Sequence, residues 1–254
     1  MLAQRVIACL DVKDGRVVKG TGFVNLADSG DPVERAALYE AQGADEIIFL
    51  DISATPVGRA TLLSAVSETA ERLFVPLTVG GGVRGVDDVG RVLRAGADKV
   101  AVNSAAVLEP SLLTEAASRF GAQCVVASID ARATDAGHWE VYIAGGRKAT
   151  GLDAVAWARR CAELGAGEIL ITSIDRDGAR SGYDIELTSA VANAVHVPVV
   201  ASGGAGGAAH VRDVLSRTCA AAALVAGVLH DGTTTVQAIK QELLRAGVTV
   251  RSAA

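Results

Sequence analysis

The sequence predicts an α/β protein, a single (β/α)8 TIM barrel with an internal half-barrel repeat, and three observations predict it. Eight short runs rich in Val, Ile, Leu and Ala alternate with amphipathic segments, which is typical of parallel strands covered by helices. The length of 254 residues suits one such barrel. The second half of the chain also repeats the first, because VPLTVGGG at residues 75–82 returns as VPVVASGG at 197–204. We therefore expect one domain, residues 1–254, made of half-barrels at about residues 1–122 and 123–254.

The individual elements follow from the alternation of apolar and amphipathic segments. Strands are expected at residues 6–10, 47–50, 77–79, 100–102, 125–129, 169–172, 199–201 and 221–226. Helices are expected near residues 32–42, 62–73, 86–95, 110–120, 153–164, 185–194, 208–215 and 234–246. Asp31 before Pro32 is a helix start signal, and Gly43 and Gly165 stand where helices end.

The composition argues against several classes of function. A net charge of −5 and an aromatic content of 4% offer neither the positive surface nor the stacking rings that nucleic acids bind. The four cysteines lie far apart without metal-ligand spacing, so we expect reduced thiols and no cysteine metal site. The sequence has no signal-peptide pattern and no apolar run of membrane-spanning length. We therefore expect a cytoplasmic protein that does not associate with membranes.

Two long loops are expected at the C-terminal side of the barrel. Residues 12–30, after the first strand, are basic and contain four glycines, and we interpret them as a mobile lid. Residues 131–150, after the fifth strand, contain an alternating segment at 138–143 that predicts a small hairpin beside the mouth.

Two aspartates are the candidate catalytic residues. Asp11 and Asp130 are expected to end the first and fifth strands, at matching positions on opposite sides of the barrel mouth. Barrel enzymes carry their chemistry at the C-terminal ends of the strands. Two facing carboxylates can act as acid and base if their environments separate their pKa values. Alternatively, each aspartate only terminates a strand and caps a turn.

Glycines follow the third and seventh strands, where bare backbone N–H groups can approach a phosphate. Because the two glycine turns match across the repeat, the sequence predicts a ligand with a phosphate at each end. The alternative is that these glycines only make tight strand-to-helix turns. The first predicted site comprises Gly81, Gly82, Asn103 and Ser104, and the second comprises Gly178, Gly203, Gly204, Ala226 and Gly227.

Charged residues start four of the predicted strands, at the N-terminal end of the barrel. They are Arg5, Glu46, Lys99 and Glu168. Period-two alternation turns Arg5 and Lys99 toward the barrel axis if Asp11 faces the mouth. The four side chains then form a ring of alternating charge across the floor. It is either a structural salt-bridge plug or a gated opening, and buried charges rarely stabilise a fold better than apolar packing.

Five segments carry a resemblance to a known family. They are RVIACLDV at residues 5–12, VKGT at 18–21, DSGDP at 28–32, GGG at 80–82 and TSIDRDG at 172–178. Nearly the whole chain resembles the cyclase subunits of imidazole glycerol phosphate synthase, from histidine biosynthesis. The resemblance implies a lyase without a metal or organic cofactor, in which Asp11 and Asp130 are the acid/base pair.

The resemblance also implies a substrate and a partner. The substrate would be phosphoribulosyl-formimino aminoimidazole carboxamide ribotide, which carries a phosphate at each end. Ammonia from a glutaminase subunit, docked at the N-terminal barrel face, would convert it to imidazole glycerol phosphate and an aminoimidazole carboxamide ribotide. The charged ring would be the ammonia gate, and Asp98 would lie on the docking surface. Lys19, on the lid, and Asp177 would join the phosphate-binding residues.

The sequence departs from the family pattern at three places. Gly22 replaces an asparagine in the lid, and Gly227 replaces a serine whose hydroxyl would serve the second phosphate. The segment RTCA at residues 217–220 is one residue longer than the usual stretch before the eighth strand. Two other functions stay open: the phosphoribosyl-formimino aminoimidazole carboxamide ribotide isomerase, a related barrel of the same pathway, and a non-catalytic docking barrel.

Overall fold

The computed structural model describes residues 3–21, 24–52, 56–135 and 137–252, and for residues 19–21, 24–27 and 56–61 it describes the backbone alone. Its strands are β1 (Arg5–Lys13), β2 (Arg16–Thr21), β3 (Val24–Gly30), β4 (Glu46–Asp51), β5 (Leu77–Gly80), β6 (Lys99–Val102), β7 (Val125–Ala133), β8 (Trp139–Ile143), β9 (Lys148–Asp153), β10 (Glu168–Ser173), β11 (Val199–Ser202) and β12 (Ala222–Val225). Its helices are α1 (Pro32–Ala41), α2 (Pro56–Ala70), α3 (Val86–Arg94), α4 (Ser104–Leu108), α5 (Ser111–Phe120), α6 (Ala154–Glu163), α7 (Ile185–Ala194), α8 (Ala208–Arg217), α9 (Gly227–His230) and α10 (Val236–Arg245), and a 3₁₀ turn spans Ala122–Cys124.

Eight parallel strands close into a barrel with helices between them, which confirms the predicted fold class. The strand order is β1-β4-β5-β6-β7-β10-β11-β12, and β12 pairs with β1 to complete the ring. Each pairing is parallel, as the alternation of strands and helices requires.

The internal repeat is visible in the positions of the strands. β4 and β10 begin 122 residues apart, at Glu46 and Glu168, and β5 and β11 begin 122 residues apart, at Leu77 and Val199. β6 and β12 are displaced by 123 residues, because they begin at Lys99 and Ala222. The additional residue falls before β12, where the sequence has the longer segment at 217–220.

Local signals account for where the helices begin and end. The Asp31 carboxylate accepts hydrogen bonds from the N–H groups of Val33 and Glu34 at 2.9 and 3.0 Å, so it caps α1 as the sequence predicts. Gly43 and Gly165 have φ angles of 93° and 105°, which favour glycine after a helix.

The structure differs from the predicted elements in several places, among them the start of α2, which is at Pro56 and not near residue 62. The short helices α4 and α9 were not predicted, because four or five residues are too few to show a helical period. The segment at 12–30 is not an irregular loop, since β2 pairs antiparallel with β1 and β3 pairs antiparallel with β2. Val17 and Val18 are buried in this hairpin, which gives it an apolar contact with the barrel. The hairpin predicted around residues 138–143 is confirmed by the antiparallel pair of β8 and β9.

The core has two parts, one between the strands and the helices and one inside the barrel. The interior is lined by small and medium apolar side chains: Ile7, Cys9, Ile48, Ala101, Val126, Leu170, Val200, Ala222 and Leu224. The charged floor and the polar mouth lie at opposite ends of this apolar interior. Within the described ranges, no helix is long and apolar enough to cross a membrane.

Candidate active site

Asp11 and Asp130 occupy equivalent positions in the two halves of the barrel. Asp11 is paired with Leu50 of β4, and Asp130 is paired with Thr172 of β10, which is 122 residues after Leu50. The expectation that the two aspartates end their strands was wrong. β1 and β7 continue beyond them into antiparallel hairpins, so Asp11 also pairs with Val18 and Asp130 with Tyr142. Each carboxylate therefore lies where its strand leaves the parallel barrel and continues into an antiparallel hairpin.

Burial raises the pKa of both carboxyl groups toward neutrality. The pKa of Asp11 rises to about 7, chiefly through desolvation and secondarily through the negative charge of Asp177. The pKa of Asp130 rises to about 6 through desolvation, and a hydrogen bond from Asn103 opposes part of that rise. Carboxyl groups with pKa values in this range can give and take protons near neutral pH.

Asn103 is held against Asp130. Its Nδ2 donates to Asp130 Oδ2 at 2.9 Å, which orients the carboxylate and favours its charged form. Its Oδ1 is buried and has no hydrogen-bond partner among the described residues. The side chain predicted to belong to the first phosphate site thus connects that site to a carboxylate of the predicted acid/base pair.

Asp177 is a third carboxylate at the mouth, in the connection between β10 and α7. It lines the same cavity as Asp11, and its charge raises the pKa values of both Asp11 and Asp130. Its own pKa is raised by desolvation, while a hydrogen bond from the Gly178 N–H opposes that rise. Asp177 therefore influences the proton affinities of the acid/base pair, and its predicted part in phosphate binding stays a prediction.

The first glycine turn packs backbone against backbone. Gly81 and Gly82 have φ angles of 89° and 62°, and a Cβ on Gly81 would overlap the main chain of Asp51. Only glycine permits this approach. On the adjoining strand end, Ser104 Oγ accepts a hydrogen bond from the Ala144 N–H at 3.0 Å.

The second glycine turn repeats this geometry. Gly203 and Gly204 have φ angles of 89° and 101°, and a Cβ on Gly203 would lie 2.6 Å from the Ser173 carbonyl oxygen. Ser173 is 122 residues after Asp51, and Gly203 is 122 residues after Gly81, so the two close approaches correspond. A cavity of about 110 Å³ opens here, and its lining includes Asp11, Asp177, Gly178, Gly203, Gly204, Ala226 and Gly227.

Four charged side chains form a closed ring of ion pairs at the floor of the barrel. Arg5 contacts Glu168 and donates to Glu46 Oε2 at 2.8 Å, while Lys99 Nζ lies 2.9 Å from Glu46 Oε2 and 2.8 Å from Glu168 Oε2. Each cation therefore bridges both carboxylates. Desolvation would raise the pKa of Glu168, but Arg5 and Lys99 outweigh it and hold that pKa below its ordinary value.

A hollow lined mainly by apolar residues lies beside the floor ring on the N-terminal face. It has a volume of about 300 Å³ and is lined by Leu73, Pro76, Leu77 and Asp98, among others, with Phe74 at its side. Phe74 is 96% exposed, which is unusual for a large apolar side chain. Asp98 is exposed, and its Oδ2 accepts from the Leu77 N–H at 2.8 Å.

Two residues of the lid fall outside this description. Gly22 lies outside the described residues, and the side chain of Lys19 lies outside the described side chains. Their predicted roles therefore stay predictions.

Sequence reasoning missed three residues that contact the predicted sites. Thr78 Oγ1 donates to Glu46 Oε1 at 2.5 Å. Thr78 is the β-sheet partner of Lys99 on β6, so the alternation of side chains along β5 could have placed it beside the charged ring. Arg180 and His230 line the cavity at the second glycine turn. Arg180 lies two residues after Gly178, and His230 lies three residues after Gly227. The sequence predicts both glycines as phosphate-binding residues.

The fold and this site define an enzyme of the (β/α)8-barrel class, with paired carboxylates at the mouth and mirrored glycine turns on either side. The family described as histidine biosynthesis protein matches residues 5–235. The chain is 66% identical over 252 residues to the imidazole glycerol phosphate synthase subunit HisF of Myxococcus xanthus (strain DK1622), across 99% of both chains. It is 55% identical over 251 residues to the HisF subunits of two Bacillus cereus strains, Q1 and ATCC 10987, across 99% of this chain and all of theirs. The chain belongs to the histidine biosynthesis protein family, and within it to the HisF subunits of imidazole glycerol phosphate synthase.

Proposed function

We propose that this chain is the cyclase subunit that uses ammonia to convert phosphoribulosyl-formimino aminoimidazole carboxamide ribotide to imidazole glycerol phosphate and an aminoimidazole carboxamide ribotide. The observation that carries the proposal is the 66% identity to a HisF subunit across 99% of both chains. The described residues include groups whose chemistry suits proton transfer, phosphate binding and the passage of ammonia.

Proton transfer falls to Asp11 and Asp130. Ring closure and cleavage of a C–N bond need protons added and removed on different sides of one substrate. The pKa of Asp130 is about 6 and that of Asp11 about 7, so Asp130 ionises first as the pH rises. Between these values the pair holds one proton, with Asp11 the better donor and Asp130 the better acceptor.

The two phosphates of the substrate bind at the two glycine turns. At Gly81 and Gly203 the left-handed backbone lets each turn pack tightly on the neighbouring strand end, and successive N–H groups of such a turn can form an anion site. The matching geometry suits a ligand with similar groups at both ends. Asp11 and Asp130, between the two turns, would then face the middle of the substrate, where bonds form and break.

Ammonia enters through the floor and crosses the interior of the barrel. The apolar side chains between floor and mouth disfavour ammonium and accept uncharged ammonia, because an unpaired ion loses its hydration there. The ring of Arg5, Glu46, Lys99 and Glu168 is the gate through which ammonia passes. Opening the gate requires at least one charged side chain of the ring to leave its ion-pair partner.

A glutaminase subunit docks on the N-terminal face and supplies the ammonia. Phe74 and the hollow beside it offer an apolar anchor close to the ring, and Asp98 offers an exposed negative charge for a cation of the partner. Covering a side chain with 96% exposure would remove apolar surface from water and so favour association.

Turnover with two nitrogen sources tests the proposal. The isolated chain should convert the bis-phosphorylated substrate when it is given ammonium salts at alkaline pH, where free ammonia is available. Glutamine should support turnover only after the glutaminase subunit is added. Absence of product with ammonia would refute the proposal, and isomerisation without any nitrogen source would identify the related isomerase instead.

Asp11→Asn and Asp130→Asn separate catalysis from docking. Each substitution keeps the size of the side chain and removes its acid/base function, so each should reduce ammonia-dependent turnover by at least about 100-fold. A complex that kept full activity with both variants would make this chain a docking barrel only.

A further inference from the structure

We propose that Arg180 binds the phosphate at the second glycine turn. This inference rests on the proposed function for the identity of the ligand, a phosphate monoester. It assigns to this site a side chain that the sequence did not single out.

The position of Arg180 is fixed by the glycine turn itself. Its segment packs main chain against main chain on the turn, because the Gly182 N–H donates to the Gly204 carbonyl at 2.9 Å. Cβ atoms on Gly204 and Gly206 would overlap the carbonyls of Gly182 and Arg180. The guanidinium group is therefore attached to the same rigid unit as the predicted phosphate-binding backbone.

The backbone of Arg180 is in an unusual conformation. Its φ angle is 55°, a left-handed value that costs a residue other than glycine about 1 kcal/mol. Strain of this kind persists where the surroundings fix it, and it is found preferentially at ligand sites. The residue lines the cavity of about 110 Å³ that Gly203 and Gly204 also line.

The cavity needs a cation for a phosphate to bind. Asp11 and Asp177 both line it, and their charges repel an anion. Among the described residues of the lining, Arg180 is the one with a permanent positive charge. A guanidinium group can donate two parallel hydrogen bonds to a phosphate.

Asp231 orients the guanidinium group of Arg180 but occupies only some of the guanidinium N–H donors. Arg180 Nη2 forms an ion pair with Asp231 Oδ2, and the other carboxylate oxygen accepts from the Thr233 N–H and hydroxyl at 3.0 and 2.6 Å. Because Thr233 fixes Asp231, the guanidinium group is oriented before a ligand arrives. Its remaining N–H groups can meet the phosphate.

Gly227, at the start of α9, lies beside this group. A Cβ added at Gly227 would come to 3.7 Å from Arg180 Nη2, which is an ordinary van der Waals contact. The guanidinium group therefore lies against a helix start that lines the same cavity as Gly203 and Gly204.

Phosphate binding and turnover test the proposal in two variants, Arg180→Ala and the control Arg160→Ala. Arg160 is an exposed arginine of α6 that pairs with Glu163, so its removal changes the net charge equally and far from the cavity. Affinity for inorganic phosphate is measured by titration calorimetry, and KM and kcat are measured with ammonia as the nitrogen source.

Arg180→Ala should weaken one phosphate site by about 10–100-fold and leave the other site unchanged. It should raise KM for the substrate by a similar factor with kcat within about threefold, as expected for a group that binds ground state and transition state alike. Arg160→Ala should match the wild type.

Equal phosphate affinity in Arg180→Ala and Arg160→Ala would overturn the proposal. The phosphate titration is informative even without catalysis. A wild type that binds phosphate through Arg180 but forms no product would refute the proposed function and leave this inference standing. Each variant's thermal midpoint, measured with and without phosphate, separates a loss of binding from a loss of folding.

Discussion

Asn103 Nδ2 donates a hydrogen bond to Asp130 Oδ2 at 2.9 Å, and this contact makes the two halves of the mouth chemically different. The hydrogen bond stabilises the charged form of Asp130, whose pKa is about 6, whereas that of Asp11 is about 7. The backbone geometry repeats between the halves, but the proton affinities of the two carboxylates do not.

Asn103→Ala should therefore move the pH profile of the reaction. Without the donor, the pKa of Asp130 rises above 6, so the acid limb of kcat/KM should shift toward higher pH by about 0.5–1 unit. The ammonia-dependent rate is measured across pH with constant free ammonia. Asn193→Ala, an exposed position of α7, is the matched control. An acid limb that stays in place would show that this hydrogen bond does not set the proton affinity of the essential base.

Asp177→Asn should move the profile in the opposite direction. The charge of Asp177 raises the pKa values of Asp11 and Asp130, so its removal lowers both. Both limbs of the kcat/KM profile should shift toward lower pH, and Asp87→Asn on the outer helix α3 should leave them in place. An unchanged profile with a raised KM would instead assign Asp177 to substrate binding alone.

Asp11→Asn should stabilise the folded protein at neutral and alkaline pH. The unfolded pKa is near 3.8 and the folded pKa is about 7, so the folded state binds this proton more tightly. Ionising Asp11 therefore costs stability as the pH rises from about 4 to about 7, and asparagine removes that cost. We expect a gain in unfolding free energy of about 1–3 kcal/mol near pH 8 that vanishes near pH 4. Denaturant titrations at the two pH values measure it, and a loss of stability near pH 8 would contradict it.

The barrel could be predicted from the sequence because its signals are local and repeated. Apolar runs, Asp31 before Pro32, and the matched glycine turns each reflect a short-range requirement of the backbone. Asp11 and Asp130 could be found by the same repeat. What sequence reasoning missed depends on which side chains meet in space. Arg180 reaches Gly227 and Asp231 only because a strained loop folds back over the turn, and no periodicity records that contact.

Phe74→Ala should weaken docking of the glutaminase and spare the chemistry. The ring is 96% exposed beside the apolar hollow, and loss of a buried aromatic anchor at an interface typically costs about 1–4 kcal/mol. The dissociation constant of the complex should rise at least about fivefold, while ammonia-dependent turnover of the isolated chain should not change. Leu108→Ala removes an apolar side chain that is 70% exposed and lies after β6, at the opposite end of the barrel. Equal affinities for the two variants would place the partner elsewhere.

Lys99→Met tests whether the floor ring is an ammonia gate or a structural plug. Lys99 bridges Glu46 and Glu168 at 2.9 and 2.8 Å, and methionine keeps much of its length without the charge. Two nearly buried carboxylates would then share Arg5, so we expect a loss of about 1–3 kcal/mol in unfolding free energy. If the ring is the ammonia gate, glutamine-dependent turnover of the complex should fall several-fold more than ammonia-dependent turnover, because external ammonia can also reach the mouth directly. Lys148→Met, an exposed position of β9 beside the mouth, is the control for loss of a lysine charge. Equal losses with both nitrogen sources would make the ring a structural plug, since a plug affects the whole barrel and does not distinguish the route that ammonia takes.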